Sequence, residues 1–140
     1  MRMIRLGTAA FLALALLPSS AHAAEPYEGA WVATLKDCGD HDGPTSLAVI
    51  DLEVNVDGRK MPMVDRYEYH CRIDRKATVG TDTTLFVTCF EFWDDLRKNI
   101  NSRKETIKLS VVSKDLLKIS DRQYRRCPAA NKAGKDAQKR

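Results

Sequence analysis

Imidazole is scarce in this chain, with three histidines in 140 residues, and one of them, His22, falls in an N-terminal stretch that reads as a removable leader. The two that remain, His41 and His70, offer little from which to build a general base. No Gly-x-Ser-x-Gly elbow occurs, so the strained turn that presents a hydrolase serine is absent. No Cys-x-x-Cys pair occurs either, and the cysteine spacings of 33, 18 and 38 fit no zinc-ligand pattern. After Leu17 nothing approaches the roughly 20 apolar residues of a spanning helix. No cysteine follows the small residues that end the leader, which removes the usual lipoprotein anchor. Long helical periods, internal repeats and linkers are missing as well. Together these absences argue against catalysis, a bound cofactor and a membrane span.

What is present begins with Arg2 and Arg5, an apolar run from Ala9 to Leu17, and then Pro18, Ser19, Ser20 and Ala21-His22-Ala23. That three-part pattern predicts a signal peptide over residues 1–23 and a periplasmic or secreted protein. Removing 23 of 140 residues leaves 117, enough for a single β domain over 24–128. All four cysteines lie in that part, and an even count in an oxidising compartment predicts two disulfides. With Arg2 and Arg5 gone, 21 basic side chains face 19 acidic ones, a net of +2. Lys132, Lys135, Lys139 and Arg140 against Asp136 put +3 of this in the tail, leaving the body at about −1. Residues 129–140 hold no large apolar side chain and read as a disordered basic tail, with weak contact to anionic surfaces as its one suggested interaction. A near-neutral exported body is a poor partner for nucleic acid.

The strongest local pattern runs from Tyr67 to Trp93. Tyr67, Tyr69, Cys71 and Ile73 alternate with polar residues, and Leu85, Val87 and Cys89 alternate with Phe86, Thr88 and Phe90, which is the period of paired strands. About a turn at Gly80, residues whose numbers sum to about 160 face each other, setting Cys71 against Cys89. The other bridge then joins Cys38 to Cys127, tying the opening strand to the closing one. Further strands are predicted over Tyr27–Leu35, with Trp31, Ala33 and Leu35 on one face. A long strand puts Ala48, Ile50, Leu52, Val54 and Val56 inward and ends at Asp57-Gly58, a strong hairpin signal. Pro62 places its segment at an edge or bulge. A charged connection, Asp94 to Asn101, holds about one helical turn before Ile107, Leu109 and Val111 resume strand character. The expected fold is all-β: a small antiparallel barrel or curled sheet of seven to eight strands with two disulfides.

Gly29-x-Trp31, Cys38, Cys71-x-Ile73, Cys89 and Tyr124-x-x-Cys127-Pro128 resemble small exported four-cysteine proteins of proteobacteria, and the resemblance implies a β-rich fold and no functional residue. The Gly-x-Trp opening is also similar to lipocalin-like barrels and to periplasmic inhibitors of secreted metalloproteases. Lipocalins are mostly longer, and those inhibitors usually carry a single bridge.

Three constellations stand out as candidates. Phe86, Phe90, Phe92 and Trp93 gather aromatic area on the central hairpin, and Phe86, Phe90 and Phe92 fall on the face opposite Leu85, Val87 and Cys89, which is therefore either covered or exposed as a binding surface. Met61, Met63 and His70 offer two thioethers and an imidazole, a copper-type set that equally describes core packing. The loop Asp37 to Gly43 is acidic, but in a calcium-loop register Val49 stands where the bidentate glutamate belongs, so the turn preferences of Asp and Gly explain it better. These features suggest a non-catalytic module that binds an unidentified protein, such as an inhibitor of a protease or lysozyme. The alternatives are a carrier of a small apolar ligand inside the barrel and a copper or calcium binder.

Overall fold

Alternating apolar and polar residues recur along almost the whole chain after residue 26, and the computed structural model, which describes residues 23–43 and 45–128, turns them into eight antiparallel strands. The expected leader, but for its last residue, and the tail 129–140 lie outside the described residues. The strands are β1 (Gly29–Val32), β2 (Ala48–Val56), β3 (Arg59–Arg66), β4 (Tyr69–Val79), β5 (Asp82–Phe90), β6 (Arg103–Ser113), β7 (Leu116–Ile119) and β8 (Arg122–Arg126). Each pairs with the next, and β8 pairs with β1, so the sheet is a closed barrel. Closure gives every strand two neighbours and leaves no edge to template association.

One face of each strand fills the interior. Trp31, Ala48, Ile50, Val64, Cys71, Ile73, Leu85, Val87, Cys89, Ile107, Leu109, Leu117 and Ile119 form a continuous buried cluster with Tyr27 beneath it. Cys71 stands opposite Cys89 in the β4–β5 ladder, as the hairpin register requires, and the two are bridged within the barrel. Cys38 and Cys127 are bridged on the outer wall beside Val32 and Leu47. Both expected pairings are therefore present, and no free cysteine occurs among the described residues.

Two details differ from the alternation. The first strand stops at Val32 because the chain turns into a 3-10 helix, Leu35–Gly39, that Cys38 tethers to Cys127, so Ala33 and Leu35 are exposed. On β2 the ladder with β3 slips between Asp51 and Val54. A one-residue slip reverses every later side chain. Val54 and Val56 accordingly leave the interior and join Met63, Phe90 and Leu96 on the outer wall. Pro62, between the partners of Asp51 and Val54, sits opposite this bulge, where its missing N–H interrupts no ladder. The predicted helical turn is α1 (Trp93–Lys98), ended by Asn99 in the left-handed conformation at φ 52°. Asp57 and Gly58 both have positive φ, 50° and 78°, as a tight hairpin of the primed type demands.

Candidate functional site

Strands that pair in sequence order send their connections alternately to the two ends of a barrel. At one end, which we call the turn end, β2–β3, β4–β5 and β6–β7 are joined only by Asp57-Gly58, Gly80-Thr81 and Lys114-Asp115. The other, the loop end, carries the 33–47 loop with its 3-10 helix and the 91–102 connection with α1, besides the short Tyr67-Glu68 and Ser120-Asp121 turns. Long connections on a rigid scaffold are where binding residues concentrate. Of the exposed large apolar residues, Tyr67, Phe92 and Ile100 lie at the loop end, Val79 and Val112 lie at the turn-end margins of β4 and β6, and Leu35, though in the 33–47 connection, lines a hollow with Ser113, Asp115 and Leu116 beside the β6–β7 turn.

The aromatic arm divides among different surroundings. Phe90 is buried on the outer wall, covered by α1 through Leu96. Trp93 packs against the same cluster and lies over the His70 ring at 4.4 Å. Phe86 is half-buried under the Arg75 guanidinium, 3.8 Å from its centroid. Phe92 alone stands out, 54% exposed just before α1. The chain cannot continue β5 there, because the next residues, Asp94 and Asp95, open the helix and Leu96 is drawn down onto Val54 and Met63.

Met63 and Met61 share the outer wall with His70, but Met63 is fully buried among Val54, Val56 and Phe90. The His70 Nδ1 lies 2.5 Å from Asp65 Oδ1. One thioether and one imidazole nitrogen are thus engaged in packing and an Asp–His contact. In the acidic loop, Asp40 accepts the Asp42 N–H at 3.1 Å and the Thr45 hydroxyl at 3.3 Å, a turn-stabilising arrangement. No group of three or more His, Cys, Asp or Glu side chains gathers around a common point among the described residues.

Sequence reading missed the polar ring at the loop-end mouth. Arg103 and Glu105 continue the inward parity of Ile107 and Leu109, and extending that alternation back along β6 finds them. There the Tyr69 hydroxyl donates to Glu105 at 2.5 Å, and Arg103 is ion-paired with the same carboxylate. Arg66 lies 5.2 Å above the Tyr124 ring. Burial, and then the hydrogen bond to Glu105, push the Tyr69 phenol well above its ordinary value. Burial also opposes ionisation of Glu105, yet the Tyr69 and Arg103 hydrogen bonds outweigh it and hold the carboxyl below its usual range. Tyr69, Glu105 and Arg103 thus satisfy one another, which suits a fixed rim rather than a nucleophile or base.

A raised phenol pKa stabilises the fold while the phenol stays protonated, and that contribution is lost as pH rises above the unfolded value of about 10. Stability should therefore fall above pH 10 by up to about 1.4 kcal/mol per pH unit from Tyr69 alone. Tyr27, raised chiefly by burial, slopes the same way, so the Tyr69 share is the difference between the wild-type profile and that of Tyr69→Phe. Superimposable profiles above pH 10 would refute this role for Tyr69.

A second missed group closes the turn end. Arg126 faces inward beside Trp31 in the β1–β8 ladder, and its guanidinium lies over the indole at 4.2 Å. It donates to the carbonyls of Glu28, Lys114 and Pro26 at 2.5, 2.6 and 2.7 Å. The Trp31 Nε1–H donates to Tyr27 O at 2.8 Å. The barrel is thus floored by Tyr27, Trp31 and Arg126 and rimmed by Tyr69, Glu105 and Arg103. The fold and these two ends define a small disulfide-stapled, up-and-down β-barrel with a packed interior and its long loops at one end. No protein family, curated protein or solved structure matches this chain.

Proposed function

We propose that the mature protein is an exported, non-catalytic binding module whose loop end docks a protein, most concretely a secreted or periplasmic hydrolase that it inhibits. The observation that carries this reading is the gathering of exposed Tyr67, Phe92 and Ile100, with the long 91–102 connection, at the loop end. Preorganised loops lose little entropy on binding. Here one long loop is tethered by Cys38 and the other is anchored by Leu96 and Trp93 on the outer wall. Export is supported by the leader pattern and the two bridges, and among the described residues no helix is long and apolar enough to cross a membrane. A carrier of apolar ligands fits less well, since Trp31, Ile50, Leu85, Val87 and Leu117 occupy the volume such a ligand needs.

The test is inhibition of a panel of exported proteases and lysozymes by the mature protein, repeated with Phe92→Ala. Phe92 is exposed, so truncation should leave the unfolding midpoint in place while weakening inhibition by about 2 kcal/mol, or roughly 30-fold. Trp93→Ala is the wrong probe, because Trp93 also supports His70 and the α1 cluster. Absence of inhibition across the panel, or inhibition indifferent to Phe92, would reject the proposal.

A further inference from the structure

The outer face of β4 to β8 carries charge of one sign. Arg72, Arg75, Lys104, Lys108, Lys118 and Arg125 project from it. Asp74 and Asp82 are the carboxylates of that face, and both are engaged: Asp74 by Arg72 at 2.9 Å and the Thr88 hydroxyl at 2.5 Å, Asp82 by the Ser110 hydroxyl at 2.5 Å. Six cations against two anions leave +4 on one wall of a body whose net charge is about −1. Arg75, Lys104, Lys108, Lys118 and Arg125 are exposed and have no carboxylate within ion-pair distance among the described residues. Like charges left side by side raise the energy of the free protein and attract an anionic partner.

A groove of about 440 Å³ runs through this face, lined by Asp74, Arg75, Phe86, Lys104 and Thr106. It opens where the β4–β5 ladder slips between Ile73 and Arg75, which turns both Asp74 and Arg75 outward. Lys104 and Lys108 are four residues apart on one strand, about 14 Å, so they cannot converge on one small anion. They suit charges repeated along a chain. Between them stands Thr106, and one strand away Thr84 faces Lys108, hydroxyls matched to a sugar polymer. The one aromatic in the groove, Phe86, is half-buried beneath Arg75 and so cannot enter a bilayer as an interfacial anchor would.

We propose that this wall is a second binding surface, independent of the loop end, and that its occupant is an anionic polysaccharide lying along β6 through the groove. Arg75 and Lys104 grip acidic groups on either side of Phe86, and Lys108 takes the next along the chain.

The test is affinity electrophoresis of the full mature chain through gels containing sodium polygalacturonate, with neutral dextran gels as reference and flotation with phosphatidylglycerol vesicles in parallel. Retardation should occur in polygalacturonate alone and fade as salt rises. Lys104→Gln/Lys108→Gln should raise the apparent dissociation constant about tenfold or more, while the charge-matched control Arg59→Gln/Lys98→Gln changes it less than about twofold. All four residues are exposed, and an unchanged thermal midpoint checks the fold. Should the double variant misfold, Arg75→Gln/Lys108→Gln carries the same expectation. Equal weakening by variant and control would place the binding in general charge or in residues 129–140 and overturn the proposal. Capture by vesicles without polygalacturonate retardation, or no retardation at all, would overturn it as well.

Discussion

Replacing both Cys38 and Cys127 by alanine should lower the unfolding free energy by about 4 to 5 kcal/mol, a large part of what holds a domain of this size together. The bridge spans 89 residues and cross-links almost the whole barrel, so removing it frees the unfolded chain more than removing any local link would. It also releases the 3-10 helix from the outer wall, where Cys38 packs with Val32, Leu47 and Cys127. The Cys71–Cys89 bridge closes only 18 residues, and its entropic share is about 3 kcal/mol. Urea unfolding of the variant with both outer cysteines replaced, compared with the wild type, measures the difference. A loss under about 1 kcal/mol would mean that the unfolded chain is already constrained by other contacts.

The second large effect should come from Gly29. Its φ of +133° is strained for any side chain, and a Cβ there would stand 2.5 Å from the Arg126 Nη1. Arg126 can yield only by giving up carbonyls it now holds, those of Glu28 and Pro26 among them. Gly29→Ala should therefore cost about 3 kcal/mol, combining backbone strain with one or two lost charge-assisted hydrogen bonds. Arg126→Ala alone should cost about 2 kcal/mol, since its partners are only partly buried. The pair should not add. Once Arg126 is gone the clash is gone, so Gly29→Ala in that background should cost only its conformational share, about 1 to 2 kcal/mol. Additive costs in the double-mutant cycle would show that Gly29 and Arg126 act separately.

The sequence was most legible where one physical rule governed a long segment. Tyr69, Cys71 and Ile73 alternating against Leu85, Val87 and Cys89 specified the hairpin register and, through it, both bridges. Alternation failed at points where a single residue changes the count. The slip between Asp51 and Val54 moved Val54 and Val56 to the outer wall, and nothing in their own side chains announces it, since valine is equally at home on either apolar face. Charged residues on an inward parity were the other blind spot. Arg103, Glu105 and Arg126 look like surface residues one at a time, and they become parts of the barrel's two ends only when the strand phase is extended to them. The candidate aromatic arm was legible as a concentration of area, but its division into buried Phe90, supporting Trp93 and exposed Phe92 depends on α1 folding back over the wall.

Every strand of this barrel pairs with its neighbour in sequence except at one place, where β1 meets β8. Seven of the eight pairings can therefore form from hairpin-like contacts with modest loop-closure entropy, and the eighth must bring the two ends of the chain together. The barrel has a seam. Trp31 beneath Arg126 and Cys38 joined to Cys127 both lie along it, one as a reversible clasp and the other as a covalent stitch. Until that seam closes the molecule is an open sheet with two unpaired margins, able to pair with another copy. The order in which the clasp and the stitch form then decides whether a newly made chain closes on itself or on its neighbour.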